Sequence, residues 1–371
     1  MRVVVAMSGG VDSSVVAGML VREGHDVIGV HMRLHDESPT AVKAGVSRTC
    51  CGVDDALDAR RVADALGIPF YVMNLREAFD KAVMRDLADT YVAGRTPNPC
   101  IQCNGVLKFR VLLARALALG ADRLATGHYA RVVREGDHPP LLAAAADADK
   151  DQSYFLFPMT TKALAHTIFP LGGLTKPEVR DLAAGLSLSV ANKPESQEVC
   201  FLPDGDHARF VRERHPKVGA AGPIVLEDGT VVGEHDGYYR YTVGQRRGLG
   251  VALGEPAYVL RVVPERREVV VTTDPDRLGA SGLTASGAVW HRPPEAGEPV
   301  QVRIRHRGGR HAATVQCEGS SRFEVAFEEP VRAIAPGQAA VVYQGEVVLG
   351  GGWIGRSLSR AEVQRGTRGA A

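Results

Sequence analysis

An unbroken apolar run, residues 3–7, leads directly into the small and polar residues 8–14 near the start of the chain. Three β-branched residues in a row predict a central strand of a parallel sheet, covered on both faces. The residues that follow predict a tight glycine turn and then a helix over 15–23, which Gly24 ends as a left-handed cap. The pattern therefore predicts a strand, an anion-binding turn and a helix, in that order.

Strand-like and helix-like segments alternate over the first 200 residues. Further strands are predicted at 26–33, 69–73 and 122–126, and helices at 54–66, 79–94 and 108–119. This alternation predicts a doubly wound α/β domain with a mostly parallel sheet over residues 1–204. Ligands bind such sheets at the carboxyl ends of the strands, so the turn at Gly9 and Gly10, Met32 and Gly127 are expected on one rim.

The pattern changes after residue 204. Glycine and short apolar pairs predict a small central domain over residues 205–273. Alternating runs at 301–305, 311–316, 322–327, 339–343 and 346–350 are separated by glycine and proline turns, which predicts a C-terminal β-barrel over residues 274–360. Residues 361–371 are expected to be a flexible tail.

Composition narrows the class of protein. The chain has 371 residues, 45% of them hydrophobic, and a formal net charge of +1. No apolar run approaches membrane-spanning length, and the N-terminal strand has neither a basic region nor a cleavage site, so we expect a cytoplasmic protein with no membrane partner. In such a protein the six cysteines are expected to be catalytic, metal-binding or buried.

The turn after the first strand carries the first chemical signal. Gly9 and Gly10 let the backbone approach a ligand closely, Ser13 suits the first helical turn, and Asp12 beside phosphates suits a bound Mg²⁺. A Walker A loop needs a lysine, and none occurs between Arg2 and Arg22. The pattern SGGxDSS resembles the PP-loop of the ATP pyrophosphatases, which cleave ATP to AMP and pyrophosphate. The turn alone leaves an amide or C–N ligase open, and a simple glycine turn remains the structural alternative.

The cysteines carry the second signal. Cys100 and Cys103 lie three residues apart in a proline-rich loop before a predicted helix, where the thiolate form is favoured. A structural zinc site is the alternative, but no second pair of ligands follows at zinc-finger spacing. Cys200, between Val199 and Phe201, is by itself more typical of a buried small apolar residue and is weak evidence for a reactive thiol.

Together these segments resemble the bacterial tRNA-specific 2-thiouridylases, the MnmA family, over nearly the whole chain. The motifs that carry the resemblance are AMSGGVDSSV, AGRTPNPCIQCN followed by KF, ATGHYAR, DKDQSYFL, KPESQEVCF, YTVGQRRGLG and PGQAAVVYQGEVVLGGG. Other PP-loop enzymes share only the first of these motifs. The resemblance implies ATP-dependent 2-thiolation of the wobble uridine of tRNA of the Lys, Glu and Gln type.

The resemblance also implies which residues bind the substrates. The residues expected to bind ATP are Ala6, Met7, Ser8, Gly9, Gly10, Val11, Asp12, Ser13, Met32 and Gly127. Those expected to contact tRNA are Asn98, Pro99, Cys100, His128, Lys150, Asp151, Gln152, Arg305, His306 and Gln338. A solvated turn at 150–152 and a locally bonded His128 are the ordinary structural alternatives.

Sulfur chemistry is implied by the same resemblance. The uracil C2 oxygen is adenylated at the catalytic site that includes Asp12, and sulfur arrives as a persulfide on Cys200, supplied by a cysteine desulfurase or a sulfur-relay protein. Cys103, which precedes Asn104, is its catalytic partner. Either the persulfide attacks C2 and Cys103 resolves it into a Cys103–Cys200 disulfide, or Cys103 first liberates hydrosulfide.

One position departs from a common family pattern, because many members have Asp where this chain has Cys100. Three thiolates, Cys100, Cys103 and Cys200, can hold a [4Fe-4S] cluster with one open iron. A cluster-bound hydrosulfide is therefore an alternative to the persulfide route. Cys50, Cys51 and Cys317 receive no role.

A basic stretch supports RNA binding independently. Arg303, Arg305, His306, Arg307, Arg310 and His311 lie close together with no acid between them. Arginine suits bidentate contacts to phosphate, and a β surface can follow a stem. A solvated strand face, or a non-catalytic RNA-binding protein with a degenerate loop, is the competing interpretation.

Overall fold

The chain forms two compact units. The computed structural model describes residues 1–35, 52–134, 136, 138–194, 199–202, 205–219 and 221–369. One unit comprises Met1–Met84, Pro99–Gly205 and Glu346–Val348, and the other Arg85–Asn98, Asp206–Gly345 and Leu349–Ala371. Cys50, Cys51, residues 195–198 and the last two residues of the tail lie outside the described residues.

The first unit is built on a parallel sheet. The strands of this unit are β1 (Arg2–Ala6), β2 (Asp26–Arg33), β3 (Phe70–Asn74), β4 (Arg123–Thr126), β5 (Arg131–Val133), β6 (Leu141–Ala143) and β7 (Thr167–Ile168), of which β5 and β6 lie outside the parallel sheet. The order β3-β2-β1-β4-β7 is parallel throughout, and β5 and β6 form an antiparallel hairpin. Val3 and Val5 are fully buried, as a strand covered on both faces requires. The predicted doubly wound α/β fold is confirmed.

Helices connect and cover these strands. In the first unit they are Val11–Arg22, Val53–Leu66, Arg76–Phe79, Pro99–Gln102, Leu113–Ala118, Ser153–Leu156, Thr161–Ala165 and Lys176–Gly185, with π-helical segments at Asp80–Met84 and Cys103–Leu112. The helix Arg85–Val92 belongs to the second unit. The helix predicted at 15–23 begins four residues earlier than expected. The Ser13 and Ser14 hydroxyls donate to the Gly10 carbonyl at 3.3 and 2.8 Å, which stabilises the first turn.

The cysteine loop is the largest error in the predicted elements. The sequence predicts a loop over 96–104 and a helix from Lys108, whereas the chain is helical from Pro99 onward, first as Pro99–Gln102 and then as the π-helix Cys103–Leu112. Proline is favoured at the first helical position because its missing N–H would have no partner there. Cys100 and Cys103 therefore lie on a helix, not before one.

Residues 85–98, which the sequence analysis assigns to the first domain, belong to the second unit. The Tyr238 hydroxyl donates to the Val92 carbonyl at 2.8 Å, and Asp89 pairs with His215 at 2.8 Å. These contacts span more than 120 residues of sequence, so no local pattern indicates them.

A mixed sheet and a barrel make up the rest of the second unit. The mixed sheet has the order β10-β11-β8-β9, from β8 (Gly222–Val225), β9 (Val231–His235), β10 (Tyr258–Val263) and β11 (Glu268–Thr272), with the helix His207–Arg214 beside it in sequence. The barrel strands are β12 (Gly279–Trp290), β13 (Val300–Arg303), β14 (His311–Glu318), β15 (Arg322–Arg332), β16 (Ala339–Gln344) and β17 (Val347–Leu358). β17 pairs with both β16 and β12, which closes the predicted C-terminal barrel.

The tail differs from the prediction, because Arg360–Gly369 form a helix. Glu362 accepts hydrogen bonds from the Ser359 amide and hydroxyl at 2.9 and 2.8 Å, and these bonds lower the pKa of Glu362 to about 2. The Ser-x-x-Glu spacing is the sequence signal for such a start. Across the described ranges, no helix combines the length and apolar character needed to cross a membrane.

Candidate functional site

The glycine turn after β1 is shaped to meet an anion. Gly9 has φ +78°, and a Cβ there would lie 2.2 Å from the Asp55 carbonyl oxygen, so only glycine fits. The Ser8 amide donates to Ser13 Oγ at 3.1 Å, which ties the turn to the helix Val11–Arg22. The first N–H groups of a helix have no partner within it, so the turn presents donors and a positive dipole end.

The end of β4 lies against this helix start. A Cβ on Gly127 would lie 2.8 Å from the Ser13 nitrogen, so the missing side chain permits the close approach. The turn and the end of β4 therefore meet at one rim of the sheet, as predicted for open α/β folds.

A cavity of about 330 Å³ opens at this rim, entirely within the first unit. It brings together most of the residues that the sequence analysis selects: Ala6, Met7, Ser8, Asp12, Ser13, Met32, Gly127, Pro99, Cys100, His128, Gln152, Cys103 and Cys200. Gly9, Gly10, Val11, Lys150 and Asp151 belong to the first unit but do not line it, and Asn98, Arg305, His306 and Gln338 belong to the second unit.

Three thiols line the cavity. Cys100 and Cys103 are three residues apart on the helix, a spacing that places them on the same face. Cys103 begins a ten-residue π-helix, a rare conformation found most often at functional sites. Cys200 reaches the cavity from the far end of the α/β region. None of the described cysteines forms a disulfide.

An iron–sulfur cluster held by Cys100, Cys103 and Cys200 stays a prediction. Among the described residues, no group of three or more His, Cys, Asp or Glu side chains is close enough to hold a metal ion. Cys100, Cys103 and Cys200 all line the one cavity. A Mg²⁺ ion is less demanding, since it needs one or two carboxylates together with substrate phosphates, and Asp12 supplies one beside the turn.

Asp12 is held by two groups that the sequence analysis misses. Lys176 Nζ donates to Asp12 Oδ1 at 2.7 Å, and the Tyr129 hydroxyl donates to the same oxygen at 3.0 Å. The Lys176 side chain is only 10% exposed. The pair joins residues 164 positions apart, so the sequence carries no sign of it.

A second lysine, Lys193, is hydrogen-bonded to the turn. Lys193 Nζ donates to the Gly9 carbonyl at 3.1 Å and to Asp55 and Asp58 at 2.8 and 2.6 Å. Burial lowers the pKa of Lys193, but the hydrogen bonds and charges of the two carboxylates outweigh it, so the pKa is raised overall. Lys193 is therefore a cation whose charge is already matched.

His128 is buried between Thr126 and Lys108. Its Nδ1 lies 2.6 Å from Thr126 Oγ1, and its Nε2 lies 3.2 Å from Lys108 Nζ. Burial, and then the Lys108 charge, hold the pKa of His128 well below its usual range. The imidazole is therefore neutral, and its Nε2 accepts from the ammonium while Nδ1–H donates to the threonine.

In the segment 150–152, Asp151 is buried within its own loop and Gln152 lines the cavity. Asp151 is 4% exposed and accepts from the Ala145 and Ser153 amides at 3.2 and 3.1 Å and from the Ser153 hydroxyl at 2.9 Å. Gln152 lines the cavity, and its Oε1 accepts from the Tyr129 amide at 3.0 Å. Asp151 therefore orders the loop that presents its neighbours.

We expect Asp151→Ala to lower the free energy of unfolding by about 2–4 kcal/mol, because it leaves three buried donors without an acceptor. Urea unfolding of the purified protein measures this loss. Asp149→Ala, at an exposed position of the same loop, should stay within about 0.5 kcal/mol of the unaltered chain. Equal stability of the two variants would contradict the assignment.

Comparisons with known proteins show the family of the chain. Residues 1–204 match the family model described as a tRNA methyl transferase HUP domain, residues 208–273 its PRC-barrel domain, and residues 280–354 an aminomethyltransferase beta-barrel domain. The tRNA-specific 2-thiouridylase MnmA of Geobacter metallireducens is 50% identical over 361 residues, covering 96% of this chain and 98% of the relative. Those of Geotalea uraniireducens (50%; 96% of each chain) and Solibacter usitatus (48%; 95% and 98%) are similarly close.

The chain belongs to the tRNA-specific 2-thiouridylase (MnmA) family.

In this member of the MnmA family, part of the basic stretch of the barrel is engaged in structure. Arg303 donates to the Gly308 carbonyl at 3.1 Å and to that of His306. Arg310 donates to the Gly345 carbonyl at 2.6 Å and lies 4.1 Å from the centre of the Tyr343 ring. The exposed members of the stretch are Arg305 and Arg307.

Gln338 is likewise bonded within the second unit of this MnmA-family chain. Its amide Nε2 donates to the Thr96 and Pro97 carbonyls at 3.1 and 2.9 Å. The side chain therefore fixes the segment that precedes Asn98, which gives Gln338 a local structural function.

Proposed function

We propose that the chain catalyses ATP-dependent 2-thiolation of the wobble uridine of tRNA. The observation that carries the proposal is one cavity lined both by an anion-binding turn and by the thiols of Cys103 and Cys200. An enzyme that adenylates and then thiolates one base needs these two kinds of group side by side. The base must leave its stack to enter such a cavity.

The first half-reaction activates the base. The uracil O2 attacks the α-phosphate of ATP, the bond to the β-phosphate breaks, pyrophosphate leaves with the electron pair, and the N3 proton passes to water. The turn between Ser8 and Ser13 would hold the phosphates through backbone donors, with Met32 and Gly127 completing the nucleotide site. Mg²⁺ bound to Asp12 would neutralise charge on the phosphates.

The second half-reaction replaces oxygen by sulfur. The terminal sulfur of a Cys200 persulfide attacks C2, and the C2–O bond breaks to release AMP. The Cys103 thiolate then attacks Cys200 Sγ, which leaves sulfur on C2 and forms a Cys103–Cys200 disulfide. A dithiol reductant must reduce this disulfide before the next turnover. Liberation of hydrosulfide by Cys103 before the attack is the variant of this route.

The remaining expected contacts belong to the tRNA. Pro99, Cys100, His128 and Gln152 line the cavity and suit the base, while Arg305 and His306 on the second unit suit the phosphate backbone. A cysteine desulfurase or a sulfur-relay protein would supply the sulfur, and a tRNA substrate is consistent with a cytoplasmic enzyme. A PP-loop amide or C–N ligase is the weaker candidate, because it has no use for thiols beside the turn.

The test is product analysis. Incubation with ATP, cysteine, a cysteine desulfurase and an unmodified tRNA carrying a wobble uridine should yield 2-thiouridine, with AMP and pyrophosphate in equal amounts. The same tRNA with cytidine at that position serves as the control and should remain unmodified. AMP production without any 2-thiouridine would refute the proposal.

A further inference from the structure

Lys108 brings a positive charge into the cavity that no step above uses. It lies five residues after Cys103 in the π-helix Cys103–Leu112, whose i→i+5 hydrogen bonds place residues five apart one turn above each other. Both residues line the cavity. Of the described residues that line it, Lys108 is the only lysine or arginine.

The partner of Lys108 leaves its charge intact. Lys108 Nζ donates to the Nε2 atom of His128, a buried and neutral imidazole. A neutral acceptor fixes the direction of the ammonium without cancelling its charge. The Thr126 hydroxyl, 2% exposed, fixes the imidazole in turn.

The other lysines around the turn already have acidic partners. Lys176 pairs with Asp12, and Lys193 pairs with two carboxylates of the helix Val53–Leu66. Within the part of the chain that the structure describes, Lys108 makes no salt bridge, and Asp12 is the only carboxylate that lines the cavity. An anionic ligand would therefore find its positive countercharge at Lys108.

A short chain of contacts links this charge to the helix that begins at the glycine turn. Gly127 lies against the Ser13 nitrogen, at the start of the helix that presents the anion-binding donors. His128 is the next residue, and Lys108 Nζ contacts it. The two residues that follow β4, Gly127 and His128, together with one hydrogen bond, therefore connect the helix start to the Lys108 ammonium.

We propose that Lys108 is a further catalytic residue, whose ammonium binds the α-phosphate of the nucleotide and takes the place of the lysine that the turn itself lacks. The inference rests on the proposed function, since it assumes that ATP occupies this cavity. As O2 bonds to the α-phosphorus and pyrophosphate leaves, the α-phosphate oxygens stay anionic, and Lys108 stabilises them through both half-reactions until AMP departs.

The test compares AMP with adenosine, which differ only in that phosphate. Calorimetry on the full chain should show that Lys108→Met weakens AMP binding by about 30-fold and leaves adenosine binding unchanged, as expected for one charge-assisted hydrogen bond. Lys108→Arg should restore most of the AMP affinity. Lys162→Met, at an exposed position of the same unit, is the matched control and should bind both ligands normally.

Each outcome is decisive for one claim. If Lys108→Met keeps the ratio of AMP to adenosine affinity, the lysine does not bind the phosphate and the inference is wrong. If the variant loses adenosine binding to the same extent as AMP binding, Lys108 maintains the shape of the cavity instead, which also overturns it. If the unaltered chain binds AMP through Lys108 as expected but forms no 2-thiouridine, the proposed function is contradicted and this inference stands.

Discussion

Cys200→Ser is expected to lower 2-thiouridine formation by at least about 1,000-fold while pyrophosphate release stays within about threefold of the unaltered enzyme. The serine hydroxyl cannot carry a persulfide, so the sulfur step has no donor, whereas the adenylating turn is untouched. Cys103→Ser should give the same separation, because resolution of the persulfide needs the second thiolate. Single-turnover assays on one tRNA, with pyrophosphate and nucleosides measured in parallel, provide both numbers.

Two other cysteines serve as controls for this experiment. Cys317 is an exposed residue on β14 of the second unit, and partial desolvation of its thiol raises the pKa and so disfavours the reactive thiolate. Cys317→Ser should therefore thiolate normally. Cys100→Asp, which restores the residue that many family members carry, should retain activity if Cys100 only contacts the base. Loss of pyrophosphate release in Cys200→Ser would show that the thiol serves the first half-reaction as well.

The regular part of the fold follows from local pattern. β2 spans Asp26–Arg33, as its apolar run predicts, and the helix Val53–Leu66 ends at Gly67 with φ +67°. The signals behind these elements, a continuous apolar run and a C-terminal glycine, act over a few residues. The short hairpin of β5 and β6 offers three residues a strand, too few for a periodic signal to stand out.

The site was predictable only where a motif marks it. The glycine turn, Met32 and Gly127 meet as expected, because strand ends of a parallel sheet share a rim. Cys103 and Cys200 line the same cavity from a π-helix and a turn, so the sheet pattern does not account for their position. Lys176 carries no such mark, since its contact with Asp12 joins residues 164 positions apart. Lys108 belongs to the quoted motif, but the motif does not show that its partner is His128, 20 residues away. Asp151 stays a predicted tRNA contact, and the structure adds that its carboxylate is buried and bonded within its own loop.

Asp12→Asn is expected to lower pyrophosphate release by about 1,000-fold or more. The ion pair between Asp12 and Lys176 allows a catalytic cause of this loss to be separated from a structural one. The substitution removes the carboxylate beside the phosphates and also leaves the Lys176 ammonium, 10% exposed, without its countercharge. Breaking a buried pair costs about 3–5 kcal/mol of stability, and less here because Asp12 is 32% exposed.

The double variant Asp12→Asn with Lys176→Met removes both charges and should regain most of the stability lost by Asp12→Asn, as measured by urea unfolding. It should not regain pyrophosphate release, because the carboxylate that would hold Mg²⁺ is still missing. The exposed pair Arg2–Asp26 is the control, and Asp26→Asn should change both quantities little. Recovery of pyrophosphate release in the double variant would mean that Asp12 acts only by neutralising Lys176, and that the phosphates find their countercharge elsewhere in the cavity.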